Sequence, residues 1–118
     1  MKLNVGCGNR RLPGYTGIDA VERPAADIVA PADKIPLPDG CAEEVLGVHI
    51  WEHFLLWECD GVLAEWRRLL KPGGQLTLEM PDILKCARNL LKLMAAGADA
   101  SQIDSQAMWG IYGDPGTR

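Results

Sequence analysis

The sequence predicts an α/β domain with a mostly parallel sheet, and three observations carry that prediction. Short apolar runs alternate with segments of helical periodicity, the pattern that builds parallel strands joined by crossovers and covered on both sides. Val45 to Ile50 is a nearly continuous apolar run, as expected of a central strand buried on both faces. The first strand starts at the first residue and runs straight into Gly6-Cys7-Gly8, two glycines flanking one small side chain.

The elements follow in order. Residues 2–6, 15–19 and 27–30 read as the first three strands, and residues 31–44, rich in Pro, Asp and Gly, read as a loop. After the strand at 45–50, Cys59, Val62, Leu63, Trp66, Leu69 and Leu70 recur at helical spacing between Leu56 and Leu70. Lys71-Pro72-Gly73-Gly74 ends that helix with a cation, a breaker and a turn. Gln75 to Met80 alternates as a strand. Ile83, Leu84, Ala87, Leu90, Leu91 and Met94 form the stripe of a last amphipathic helix, closed by Gly97. The tail from Ala98 to Arg118 contains Trp109 and Tyr112 without periodicity. No repeat or linker interrupts the chain, so residues 1–118 read as one domain.

Glycines at the carboxyl end of a buried strand let backbone approach a flat ligand where a Cβ would collide. They also mark ordinary strand-to-loop turns, so the following residues must discriminate. The dinucleotide fingerprint places a third glycine where this chain has Arg11, and it opens a helix whose N-terminus receives a pyrophosphate. Pro13 and Gly14 leave room for a short turn only. Asp19, closing the second strand, also arrives sooner after Gly6 than the ~20 residues of the dinucleotide pattern. A strand-terminal carboxylate still suits a ribose diol. The chemistry points to a cofactor carrying adenosine but no phosphate.

Five ordered segments resemble the signature blocks of class I S-adenosylmethionine-dependent methyltransferases. They are Leu3-Asn4-Val5-Gly6-Cys7-Gly8, Gly17-Ile18-Asp19, Ile35-Pro36-Leu37-Pro38-Asp39-Gly40, Val48-His49-Ile50-Trp51-Glu52-His53 and Leu70-Lys71-Pro72-Gly73-Gly74-Gln75-Leu76. The resemblance covers Met1 to about Met80, with an echo at Ile111-Tyr112-Gly113. It implies a Rossmann-like, doubly wound sheet in the order 3-2-1-4-5, S-adenosyl-L-methionine as cofactor, and methyl transfer to a small-molecule or glycan-type acceptor. The chain departs from the pattern in two ways. The helix between the first two strands is reduced to Asn9-Arg10-Arg11-Leu12-Pro13-Gly14, and the family's last strands are lacking.

The resemblance and the residue chemistry together give a candidate cofactor set: Asn4, Gly6, Cys7, Gly8, Asp19, Ala20, Asp33, Lys34, Ile35 and His49. Asp19 would hold the ribose diol; the alternative is a turn-forming aspartate. For Asp33, the resemblance implies that the side chain or the next amide meets the adenine edge, and a plain turn aspartate fits equally. Cys7 is expected to offer its backbone rather than its sulfur. His49 lies beside the cofactor's methionine portion under the resemblance and is the one candidate catalytic base. Trp51, Phe54 and Trp57 read either as core or as a wall for adenine or substrate, with packing expected for at least two.

His49-Ile50-Trp51-Glu52-His53 is also the His-x-x-Glu-His ligand pattern of inverted zincins, which would make the chain a zinc peptidase fragment. On a helix the two histidines would share a face. The preceding strand puts His49 at its carboxyl end instead, and no third ligand is evident beyond Glu58, Glu65 and Glu79. No metal site is expected.

The charge balance excludes other classes. A net charge of −4 with pI near 5.1 lacks the basic face that nucleic acid requires. No apolar run approaches a membrane span, and no export signal is visible, so the expected compartment is the cytoplasm. Cys7, Cys41, Cys59 and Cys86 match no metal knuckle or redox pair and read as reduced thiols.

Three functions remain: a methyltransferase, a methyltransferase-like fold acting as a cofactor-binding or interaction module without turnover, and the zinc peptidase fragment. In the implied strand order Gln75 to Met80 is an edge with an apolar face of Leu76, Leu78 and Met80. The chain is therefore expected to be a portion of a longer methyltransferase, or to form a homodimer through that edge.

Overall fold

The computed structural model describes residues 1–97 of the 118-residue chain. The tail aromatics Trp109 and Tyr112 and the echo at Ile111-Tyr112-Gly113 lie outside the described residues. Five parallel strands form one sheet: β1 (Lys2–Val5), β2 (Tyr15–Asp19), β3 (Ile28–Val29), β4 (Ala42–Val48) and β5 (Leu70–Glu79). Their spatial order is β3-β2-β1-β4-β5, the implied 3-2-1-4-5, with the chain reversing direction across the sheet between β1 and β4. Such a reversal opens a crevice at the carboxyl ends of the strands.

Register decides what each face of the sheet presents. Leu3 pairs with Val45 and Thr16, and Val5 with Gly47 and Ile18, so these residues share one face. Helix α1 (Leu56–Leu69) covers that face, burying Val62, Trp66 and Leu69 against Leu3, Val5, Ile18 and Val45. The opposite face carries Lys2, Tyr15, Glu44 and Thr77, where the Tyr15 hydroxyl donates to Glu44 Oε2 at 2.8 Å and Thr77 Oγ1 to Glu44 Oε1 at 3.3 Å. That hydrogen bond holds the Tyr15 phenol above its ordinary pKa. Helical cover among the described residues therefore lies on one face, not on both as the strand–helix alternation suggested. Accordingly β4 alternates, with Ala42, Val45 and Gly47 buried and Leu46 and Val48 half-buried.

Several boundaries differ from the sequence reading for local reasons. β4 starts at Ala42, shortening the expected loop, and stops at Val48, because His49 adopts a left-handed backbone with φ 50°. Trp51–His53 then forms one 3-10 turn. β5 starts at Leu70 rather than Gln75, with a register shift opposite Ala42 and Glu44 that absorbs Pro72-Gly73-Gly74. On α1, Leu63 is 44% exposed instead of joining the buried stripe. Helix α2 (Ile83–Ala95) forms where predicted, capped by Asp82 accepting from Lys85 N at 3.0 Å, but buries none of its residues.

Candidate functional site

A cavity of about 450 Å³ opens at the carboxyl ends of β1, β2 and β3 and runs under the start of α1. That volume falls within the ordinary range of small-molecule pockets, roughly 300–1,000 Å³. Its floor is Val5, Gly6 and Gly8; one wall is Asp19, Ala20 and Val21 with Arg23 beyond them. A second wall comes from the loop after β3, Ala30 to Asp33. The third comes from His49 and Ile50 and from Phe54, Leu55, Glu58 and Val62 beside and along α1.

The glycine loop turns without a helix, as predicted. Gly6 and Gly8 have φ of 74° and 55°, values that a Cβ disfavours. The amides of Gly6 and Cys7 both donate to Ile18 O, at 2.7 and 3.1 Å, and the Gly8 amide donates to Asp19 Oδ2 at 2.8 Å. Asp19 Oδ1 accepts from Val21 N at 3.1 Å. The loop is thus fixed sideways to β2. A Cβ on Gly8 would meet no protein atom, so the space beside it is open to the cavity.

The cavity brings together Gly6, Gly8, Asp19, Ala20, Asp33 and His49 of the sequence-derived set. Asn4, Cys7, Lys34 and Ile35 lie outside its lining. Alternation along β1 points Asn4 to the face opposite Val5, where it is 3% exposed. Cys7 is buried with its sulfur toward Gly17, and its thiol is pushed up first by burial and then by the charge of Asp19, so it stays protonated. Ile35 is a core residue at 3% exposure and Lys34 is exposed.

Sequence reasoning missed Val21, Arg23 and Glu58. The β2–β3 connection carries no motif, and Glu58, which the sequence offers only as a possible metal ligand, joins the cavity wall through the docking of α1 and stays exposed there. Arg23 Nε is buried with no hydrogen-bond partner among the described residues. Trp51 and Phe54 pack edge-on against Trp66, with ring centroids 5.9 and 6.5 Å from it, while Trp57 is 78% exposed. Two of the three aromatics are packing residues, as expected, and Phe54 also lines the cavity.

His49 sits at the rim with a half-exposed ring between two carboxylates, Nδ1 3.7 Å from Glu52 Oε1 and Nε2 3.8 Å from Glu79 Oε1. Its amide donates to Glu79 O at 2.7 Å, tying the strained residue to the end of β5. Glu52 is nearly buried between His49 and His53, and its Oε2 lacks a partner among the described residues. The zincin geometry is not formed. His49 follows the end of β4 and only residues 51–53 turn, so the two histidines do not share a helix face, and no group of three metal-binding side chains occurs among the described residues.

A parallel sheet in this order, with a glycine loop and a strand-end carboxylate at its topological switch point, defines a Rossmann-like α/β domain. A family model described as "Methyltransferase domain" matches residues 3–78. The chain belongs to that family, the class I S-adenosylmethionine-dependent methyltransferases. Among solved structures, the PH0226 protein from Pyrococcus horikoshii OT3 superimposes with a TM-score of 0.65 at 23% identity, over 78% of this chain and 53% of that one. A proposed type II methyltransferase from Anaeromyxobacter dehalogenans superimposes with a TM-score of 0.52 at 19% identity, over 81% of this chain and 50% of that one. The chain thus spans about half the length of these structural relatives. No curated protein matches it. Among the described residues no helix is long and apolar enough to cross a membrane.

Proposed function

We propose that this chain binds S-adenosyl-L-methionine in the cavity at the switch point and transfers its methyl group to a small-molecule acceptor. The observation that carries the reading is the Gly8–Asp19 hydrogen bond at the cavity floor, in a loop with no helix behind it. A pyrophosphate would find no helix N-terminus there. An ionised carboxylate has about four lone-pair positions; Asp19 uses two for the Gly8 and Val21 amides, which leaves two for a vicinal diol. Ala30, Ala32, Phe54 and Val62 offer an apolar slot for a flat base. Asp19, Asp33 and Glu58 against Arg23 make the lining acidic on balance, which favours a cationic ligand over a phosphorylated one.

When bound, the cofactor supplies an electrophilic methyl group on a positively charged sulfur. In-line transfer asks the protein mainly for alignment and exclusion of water. This reading assigns His49 the proton of the acceptor, supported by its position at the rim and its carboxylate neighbours Glu52 and Glu79. Four unpaired cysteines accord with a reducing, cytoplasmic setting.

Titration calorimetry with adenosylmethionine, adenosylhomocysteine, NAD and zinc tests the reading. Binding of the first two alone is expected. Binding without transfer to any acceptor would instead support a cofactor-binding module, and a response to zinc alone would overturn the assignment.

A further inference from the structure

The backbone from Ala30 to Gly40 contains Pro31, Pro36 and Pro38 and joins no ladder, so its polar groups need partners elsewhere. Ala30 N bonds back to β2 and two turns close within the loop, and one helix supplies partners for much of the rest. Trp66 Nε1 donates to Ala32 O at 3.0 Å, Arg68 Nη2 to Ile35 O at 3.0 Å and Arg68 Nη1 to Leu37 O at 2.8 Å. Glu65 Oε2 accepts from Ile35 N at 2.7 Å, and Asp39 Oδ1 accepts from Arg68 Nη1 at 2.7 Å. Glu65 and Arg68 also pair with each other. None of these three helix residues lines the cavity, yet Pro31, Ala32 and Asp33 of the same loop form one of its walls. The first turns of the same helix, through Glu58 and Val62, form the wall opposite. One rigid element therefore carries one wall and grips the loop that makes the other.

We propose that Arg68, with Glu65 and Trp66, is a positioning residue for the cofactor seat: from outside the cavity it fixes the distance between the loop after β3 and α1. The inference rests on the functional reading above. A planar guanidinium carries five donors in a fixed fork, and Arg68 uses them on two carbonyls and two carboxylates at once, more than the three donors of an ammonium can serve. Glu65 first, and Asp39 after it, stabilise the charged guanidinium, so the grip persists across the physiological pH range. When the loop is released, only a fraction of molecules presents both walls at the binding distance, and apparent affinity falls by that fraction.

The test compares Arg68→Ala, Arg68→Lys and the exposed neighbour Arg67→Ala in the full chain. Amide hydrogen exchange is read over residues 31–39, and calorimetry measures affinity for adenosylhomocysteine and adenosine. In Arg68→Ala, exchange in the loop is expected to accelerate while β1 and β4 keep wild-type protection, and both ligands should weaken by a common factor of about tenfold. Arg68→Lys should fall between, and Arg67→Ala should match wild type. If Arg68→Ala does not fold, Arg68→Lys and Glu65→Gln carry the comparison. Wild-type affinity in a variant with a released loop, or an unreleased loop, would overturn the proposal. Wild-type protein that binds neither ligand would overturn the functional reading instead, and the exchange data would still decide whether α1 holds the loop.

Discussion

Gly8 donates its backbone amide to Asp19 Oδ2 at 2.8 Å, joining the end of β1 to the end of β2 across the cavity floor. The bond explains how the chain dispenses with a helix after its first strand. Where a dinucleotide fold anchors its glycine loop to a helix, here the anchor is the adjacent strand, through Asp19 and the Ile18 carbonyl. Asp19 is therefore a structural member of the loop as well as a candidate ligand residue.

Replacing Asp19 with alanine removes the acceptor of two amides as well as the proposed diol partner. Each charge-assisted hydrogen bond is worth roughly 1.5–3 kcal/mol. Adenosylhomocysteine should weaken by at least about tenfold, with a lowered melting temperature as well. Asp19→Asn keeps one acceptor oxygen and should retain more stability than affinity. Calorimetry and thermal melts on both variants check this; unchanged affinity in both would remove Asp19 from the site.

Two glycines should separate binding from folding. Gly8→Val introduces a branched side chain at φ 55° into open space at the cavity floor, so the expected outcome is a folded chain that no longer binds. At Gly17 a Cβ would run into the Ala25 carbonyl oxygen, backbone that cannot swing away. Gly17→Ala should lower stability by about 1–3 kcal/mol or more, as overpacking does. Urea denaturation and ligand titration of the pair provide the contrast, and equal loss of binding and stability in both variants would contradict it.

The glycine loop and the end of β2 at Asp19 were legible because they depend on local chemistry. A glycine pair, a missing third glycine and a proline shortly after it state that the backbone turns without a helix. Trp66 and Val62 were legible by helical spacing. Cover of the sheet was not, because Tyr15, Glu44 and Thr77 are far apart in the chain and become a polar row only through register. Likewise, nothing around Glu65 or Arg68 distinguishes a loop-gripping pair from a solvated salt bridge until the loop after β3 lies across them. His49 lies just past the end of β4 rather than inside the strand expected over 45–50, because its left-handed backbone, tied through its amide to Glu79 O, ends the strand.

Acid should loosen the same connections. Asp27 is held below its ordinary value first by the Gly17 amide and then by Arg11, and Glu65 first by Arg68. A carboxylate with a depressed folded pKa contributes stability above its unfolded value and loses it as pH falls through the folded one. Melting temperature should therefore be flat near neutrality and begin to fall below the ordinary glutamate and aspartate values of 4.5 and 3.8. Asp27→Asn should be less stable than wild type at pH 7 and converge with it at low pH. A variant parallel to wild type across the range would show that Asp27 contributes nothing through its charge.

Among the described residues β5 is hydrogen-bonded on one side only, and α2, which follows it in the chain, presents an apolar stripe to solvent. Ile83, Leu84, Leu91 and Met94 are 62, 60, 65 and 57% exposed, and Met80 at the end of β5 is 51% exposed. Burying one such side chain is worth about 1.5–3 kcal/mol, so several together favour association. The cationic residues of α2, Lys85, Arg88 and Lys92, lie off this stripe and do not oppose it. The expected result is a scattering mass that rises above 12.9 kDa with concentration. Leu84→Lys with Leu91→Lys should lower that mass toward the monomer while leaving the circular dichroism spectrum unchanged, because neither side chain is buried within the chain. If wild type stays at 12.9 kDa at every concentration, neither the stripe nor the strand edge joins two copies of the chain. If the mass rises but the lysine pair leaves it unchanged, association runs through the β5 edge alone, and charges placed on that edge should then disperse it.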